Sequence, residues 1–254
     1  MISISVKSDI SQALRQLRND QRQMAFAAAL ALTKTAQHVK SAETKEMQRV
    51  FDRPTPYTLN SLYVKPATKS RLEAIVWLKD DTFKGTPAAR YLMPQISGGQ
   101  RKQKRFERAL INAGLMPAGY YAVPAAGAPI DAFGNIQSRF IVQLLSYMRA
   151  FGEQGYNANM TDAGKKRYSK AAAKRTGSGG VEYFAINRKS HLPMGIYMRV
   201  RYMYRSAIKP VLLYVKNPGY KSRFDFYKVA DETVMKTFDA YLQDAIKLTI
   251  STAR

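Results

Sequence analysis

The sequence predicts an α+β fold: a long N-terminal helix and a C-terminal helix packed on a mainly antiparallel sheet, with a long irregular or helical central insertion. Three observations predict it. Apolar residues recur at helical spacing through most of the first 50 residues and again from Val229 to Ile250. Runs with strand-like alternation or β-branched and aromatic content open the chain, follow between Leu62 and Lys79, and return from Val181 to Lys216. Between these, from about residue 85 to residue 180, glycine, proline and lysine interrupt the patterns. The chain is read as one domain, residues 1–254, carrying that insertion.

Ile2, Ile4 and Val6 alternate with Ser3, Ser5 and Lys7, the period of a half-buried strand. Ser8 or Asp9 can then cap a helix reaching Val50, with Ile10, Leu14, Leu17, Met24, Ala28, Ala31 and Thr35 along one face. Such a helix would be about 60 Å long, more than an ordinary globular core needs. Its stretch Ala25 to Ala31 suits close approach of a second element, or simply supplies good helix formers. Pro54 and Pro56 stop it, because proline removes a donor and restricts the residue before it. Leu62 to Thr68 and Arg71 to Lys79 read as a hairpin, Pro66 marking an edge strand.

Within the insertion, short helices are expected at Ala88 to Met93 and Ser138 to Phe151, and a basic amphipathic helix at Gln100 to Ala113 ended by Gly114. Leu115 to Asn135 is expected to be irregular. Gly155 to Gly180 reads as the least ordered stretch, since its many like charges and few apolar groups cannot hold it compact. Val181 to Asn187, Gly195 to Tyr204 and Ala207 to Lys216 are expected to complete the sheet.

Composition speaks for binding over catalysis. The 254 residues carry 41 Lys and Arg against 18 Asp and Glu, a net charge of +23 that calls for a polyanion or acidic protein neighbours. The absence of cysteine removes disulfides, thiolate nucleophiles and thiolate metal sites together. His38 and His191 have no ligand at metal spacing beside them, so no metal and no cofactor is expected. No Gly-x-Ser-x-Gly elbow occurs, and Gly177-Ser-Gly-Gly180 lacks the Lys-Ser/Thr ending of a phosphate loop and reads as linker. Asp80-Asp81 reads as a turn bonding its own backbone, and Asp225 as a helix cap or an arginine partner. No catalytic residue is assigned. No apolar run is long enough for a bilayer, and the N-terminus lacks a secretory pattern, so the chain is expected to stay where it is made; the redox compartment is unconstrained, and a cytoplasmic product fits.

Two basic clusters are the candidate contacts for DNA or an acidic partner. The first is Arg101, Lys102, Lys104, Arg105 and Arg108, expected on a helix; the second is Lys165, Lys166, Arg167, Lys170, Lys174 and Arg175, expected to be mobile. A solvated charged face is the bland alternative. Tyr197 to Arg205 alternates basic and aromatic residues; it could stack the bases of a single strand, but the protein-interface reading is preferred. No helix-turn-helix, zinc finger or RNA-binding aromatic motif appears.

A set of strings carries a resemblance: Arg90-Tyr-Leu-Met-Pro-Gln-Ile-Ser-Gly-Gly99, Lys104-Arg-Phe-Glu-Arg-Ala-Leu110, Tyr121-Ala-Val-Pro124, Asp131-Ala-Phe-Gly-Asn135, Ile141-Val-Gln-Leu-Leu-Ser146, Pro210-Val-Leu-Leu-Tyr-Val215 and Tyr220-Lys-Ser-Arg-Phe-Asp-Phe226. Together they resemble the tail-completion, or minor tail protein Z, family of tailed bacteriophages. The resemblance implies a virion structural protein without enzymatic activity. Its expected place is the head-proximal end of the tail or the neck, as a homo-oligomeric ring joining portal or adaptor to the tail tube or tail terminator. Packaged double-stranded DNA would be a non-specific partner in the channel; no membrane is involved. A non-sequence-specific DNA-binding protein acting in packaging or regulation is the alternative.

Overall fold

The helical stripe at the start of the sequence becomes helix α1, Gln21–Val50, in the computed structural model, which describes residues 3–6, 21–83, 85–188, 190–216 and 219–252. The expected continuation of this helix over residues 8–20 lies outside the described residues. The chain forms two compact units, Met1–Gly99 with Tyr220–Arg254, and Gln100–Gly219.

In the first unit, α1 uses two faces. Ala28, Leu32, Ala36, Val39 and Met47 share a core with Leu62, Ala74, Val76 and Leu78 of a three-stranded sheet. That sheet has the order β1 (Ser3–Val6), β3 (Ala74–Leu78), β2 (Leu62–Lys65), both pairings antiparallel. The expected hairpin is there, with β2 at an edge just before Pro66. The second face of α1 meets the closing helix α7, Phe226–Thr252, where Ala27, Ala31 and Ala245 are all fully buried. Small side chains let the two axes approach, and the Thr35 and Thr249 hydroxyls satisfy themselves on carbonyls four residues back. His38, with no metal spacing in sequence, bonds the Tyr241 hydroxyl through Nδ1 at 2.8 Å and so joins α1 to α7. A one-turn helix α2 (Pro56–Leu59) follows the proline stop, and α3 (Ala88–Ile96) runs three residues past its expected end.

The second unit holds a sheet of its own, in the order β5 (Tyr120–Pro124), β8 (Ser206–Lys216), β7 (Gly195–Arg201), β6 (Gly180–Ile186), all antiparallel. The strands of the last third therefore do not complete the first sheet. Strand β5 arises within the Pro- and Gly-rich stretch expected to be irregular, because Tyr121 to Pro124 pair along β8 and Ala122 is buried there. Helices α4 (Arg105–Asn112), α5 (Ser138–Tyr147) and α6 (Asp162–Thr176) cover one face. Two short strands, β4 (Gly99–Gln100) and β9 (Gly219–Tyr220), pair with each other.

Helix α6 corrects the expectation of disorder in residues 155–180. Thr161 caps it by accepting from the Gly164 N–H, and Gly177 ends it at a positive φ of 62°. Ala172 and Ala173 are buried, the Tyr168 hydroxyl lies 3.2 Å from that of Tyr183, and the Val181 N–H donates to Ser169. The glycine run after it is a helix cap and the start of β6. Helix α4 starts later than expected, at Arg105, so Arg101, Lys102 and Lys104 precede it.

Glu43 interrupts the apolar stripe of α1. It is 0% exposed and neither carboxylate oxygen has a hydrogen-bond partner. Burial, and secondarily the charge of Glu46, pushes its carboxyl up to about 9. The unfolded chain ionises this group near pH 4.5 and the folded one does not, so its contribution to stability is complete below that pH and is lost as pH rises toward 9. Replacing Glu43→Met should remove this dependence and stabilise the protein by about 3 kcal/mol at pH 7; denaturant melts at pH 5, 7 and 8.5 would measure it. In β7, a Cβ at Gly195 would fall inside contact distance of the Leu212 carbonyl. Gly195→Ala should lower the chemical-denaturation midpoint, at a cost of about 1–3 kcal/mol.

Candidate polyanion-contacting surface

The excess charge is unevenly distributed. Residues 100–219 hold 20 Lys and Arg against five Asp and Glu, a net +15 of the chain's +23. Four of those five carboxylates are used inside the unit. Glu107 pairs with Arg101, Asp162 with Arg149 at 2.6 Å, and Glu182 with Arg201 at 2.9 Å and Arg199 at 3.5 Å. Asp131 accepts the N–H groups of Phe133 and Asn135 to close its turn. The remaining cations of this unit have almost nothing to neutralise them.

On α6, Lys166, Lys170 and Lys174 recur every fourth residue and are all exposed, with Arg167 beside them. They form a cationic stripe whose members stand about 6 Å apart along the axis, and none has an ion pair to a described carboxylate. Lys165 turns away from the stripe, its Nζ 5.2 Å above the Tyr147 ring. Arg175 belongs to the same helix by its backbone. The helix is fixed by the inward Tyr168, Ala172 and Ala173, so the outward lysines are presented on a rigid element, not on a mobile loop.

The first cluster divides. Arg101 points inward: its guanidinium forks onto the fully buried Glu107 at 2.8 and 2.5 Å and stacks 4.7 Å from the Tyr121 ring centre. Glu107 also accepts the Lys104 N–H (2.6 Å), closing the start of α4, and the Ala122 N–H of β5 (2.9 Å). Burial alone would raise the Glu107 carboxyl, but the Arg101 fork and these two N–H groups outweigh it and hold it below the ordinary range. Lys102, Lys104, Arg105 and Arg108 are exposed. This group is anchored through Glu107 to β5, whereas α6 packs on β6, and β5 and β6 are the two edges of the sheet. The structure does not bring the two clusters together.

What lies beside α6 is the β7–β8 turn. Gly179 N–H, two residues past the helix cap, donates to the Arg201 carbonyl, and Gly180 pairs with Arg201. Of the basic-aromatic run Tyr197 to Arg205, the first part is consumed within the sheet. Tyr197 is buried and donates to the Pro193 carbonyl, and Arg199 stacks on Phe184 at 5.0 Å. Beyond the exposed Arg201, which pairs with Glu182, the turn stands outward: Met203 is 86% and Tyr204 94% exposed, and Arg205 lies 5.7 Å over the Tyr202 ring. The alternation was visible in sequence; that it divides between a paired strand and a bare turn was not.

No protein-family model, curated protein or solved structure matches the chain. Among the described residues no group of three or more His, Cys, Asp or Glu could hold a metal ion, and no helix is long and apolar enough to cross a membrane. A recess between α4, α5 and β8 is lined by Phe106, Leu110, Phe140, Leu144 and other apolar side chains, with no titratable group.

Breaking the buried pair should be costly. Glu107→Ala leaves Arg101 without its carboxylate and frees two N–H donors, so a loss of about 3–5 kcal/mol is expected in denaturant unfolding. Because the Glu107 carboxyl is depressed in the folded state, its contribution is present above pH 4.5 and lost as pH falls below it. The acid limb of the stability profile should flatten in the variant.

Proposed function

We propose that this chain is a virion structural protein completing the head-proximal end of a phage tail or neck. It forms a ring that joins portal or adaptor to tail and surrounds the DNA channel, and it has no enzymatic role. The observation that carries the reading is the excess positive charge of residues 100–219, part of which α6 presents outward where a polyanion can reach it. Backbone phosphates are met by such a surface without sequence readout. The strings that resemble the tail-completion family add support from another side. They include buried positions of the scaffold: Leu110 in α4, Ala122 in β5, Leu144 and Leu145 in α5, Leu212 and Tyr214 in β8, and Phe224 and Phe226 at the start of α7. They speak for a shared architecture rather than a shared active site.

The lysine stripe of α6 equally favours a second reading, a DNA-binding protein acting in packaging or regulation. The two are separated by the particle. An amber mutation in the phage genome encoding this chain should yield DNA-filled heads with tails missing or unjoined by electron microscopy, and the chain should be present in purified wild-type virions. Tailed, infectious particles from the mutant would overturn the tail-completion reading. Absence of the chain from virions, together with a packaging or expression defect, would favour the second.

A further inference from the structure

We propose that the outward face of α6 and the Tyr202–Arg205 turn form one binding surface for single-stranded nucleic acid, with the lysines on backbone phosphates and Tyr204 stacking on a base. The inference rests on the polyanion reading of α6 above and names the form of nucleic acid it takes. The two parts are joined by the backbone bond from Gly179 to Arg201, which places the turn next to the C-terminal end of the helix. They are also chemically complementary. Lys166, Lys170 and Lys174 offer three exposed charges with no ion pair to a described carboxylate, and the turn offers an exposed phenol ring beside a second ring already stacked with a guanidinium. A cationic track leading to an aromatic platform is how sequence-tolerant single-strand binding is built, since every base has a π face.

The lysines argue against a protein occupant. Tyr, Met and Arg are enriched at protein interfaces, but lysine is depleted there, and here three stand together without carboxylates. The turn argues against a duplex. Strand pairing ends at Arg201 opposite Ser206, so only four residues extend beyond the sheet. That is too short a ribbon to enter a major groove about 8.5 Å deep. A ring that is 94% exposed can instead be covered fully by a base that is free of its partner.

Fluorescence anisotropy on the full chain tests this with three labelled probes of equal length, about 20 nucleotides: oligothymidylate, an abasic deoxyribose-phosphate strand, and a duplex. Oligothymidylate should bind at least about tenfold tighter than the abasic strand, as expected from one stacked base. Tyr204→Ala and Tyr204→Leu should both erase that advantage while leaving the salt dependence and the duplex affinity unchanged; leucine keeps apolar bulk but has no π face. The triple variant Lys166→Gln, Lys170→Gln, Lys174→Gln should lower the log-log salt slope for oligothymidylate by about 2, close to 0.7 for each phosphate no longer neutralised. Equal affinity for oligothymidylate and the abasic strand would overturn the proposal. So would Tyr204 variants that bind normally, or that lose self-association in sedimentation while binding is intact, which would assign the turn to a subunit contact. Either result leaves the amber-mutant phenotype, and with it the tail-completion reading, to stand or fall separately.

Discussion

Scarcity of carboxylates is the constraint on which the second unit depends. With 20 cations and five acids in residues 100–219, each acid has to serve where it contributes most. Glu107 does so at a single point, neutralising Arg101, capping α4 and binding the edge of β5. A carboxylate that accepts several N–H groups and a bidentate arginine is stable when buried, because its lone pairs are all occupied. Asp162 and Glu182 instead form solvent-exposed ion pairs, at the start of α6 and across β6 and β7, which contribute far less. The positive charge that remains on the surface is what these pairings leave over, and it can persist only if a polyanion or solvent screens it.

The first unit works by the opposite means. Its contact between α1 and α7 is centred on buried alanines flanked by Leu30, Phe238, Tyr241, Leu242 and Ile246, with the His38–Tyr241 bond beside them and no ion pair among the described residues. Glu43 is the exception, a carboxyl in the apolar stripe with neither oxygen bonded. The two buried glutamates therefore respond to pH in opposite directions, one favouring the folded state only while protonated and the other only while ionised. The two units thus differ in the balance of charge, 20 cations to five acids in residues 100–219 against 21 to 13 in the remainder.

Much of the fold is legible in the sequence. The long helices and the first hairpin follow from periods of 3.6 and 2 sustained over several residues, and the strands of the last third from their β-branched and aromatic content. Where the period is weak, structure depends on remote partners. Strand β5 is short and set among prolines and glycines, helix α6 has few apolar residues, and each exists because a distant element receives it: β8 pairs with Tyr121 to Pro124, and Tyr183 and Val181 of β6 hold Tyr168 and Ser169.

The same distinction applies to the candidate surface. Composition alone determined that the chain carries a large excess of cations and has no cysteine for thiolate chemistry, because charge and atom type are properties of residues wherever they fall. Which cations are available was decided by tertiary structure. Arg101 and Lys166 look alike in a basic run, yet one is folded onto a buried carboxylate and the other stands on an outward stripe. Partner assignment depends on distances that close only when remote segments pack, and no local pattern records them.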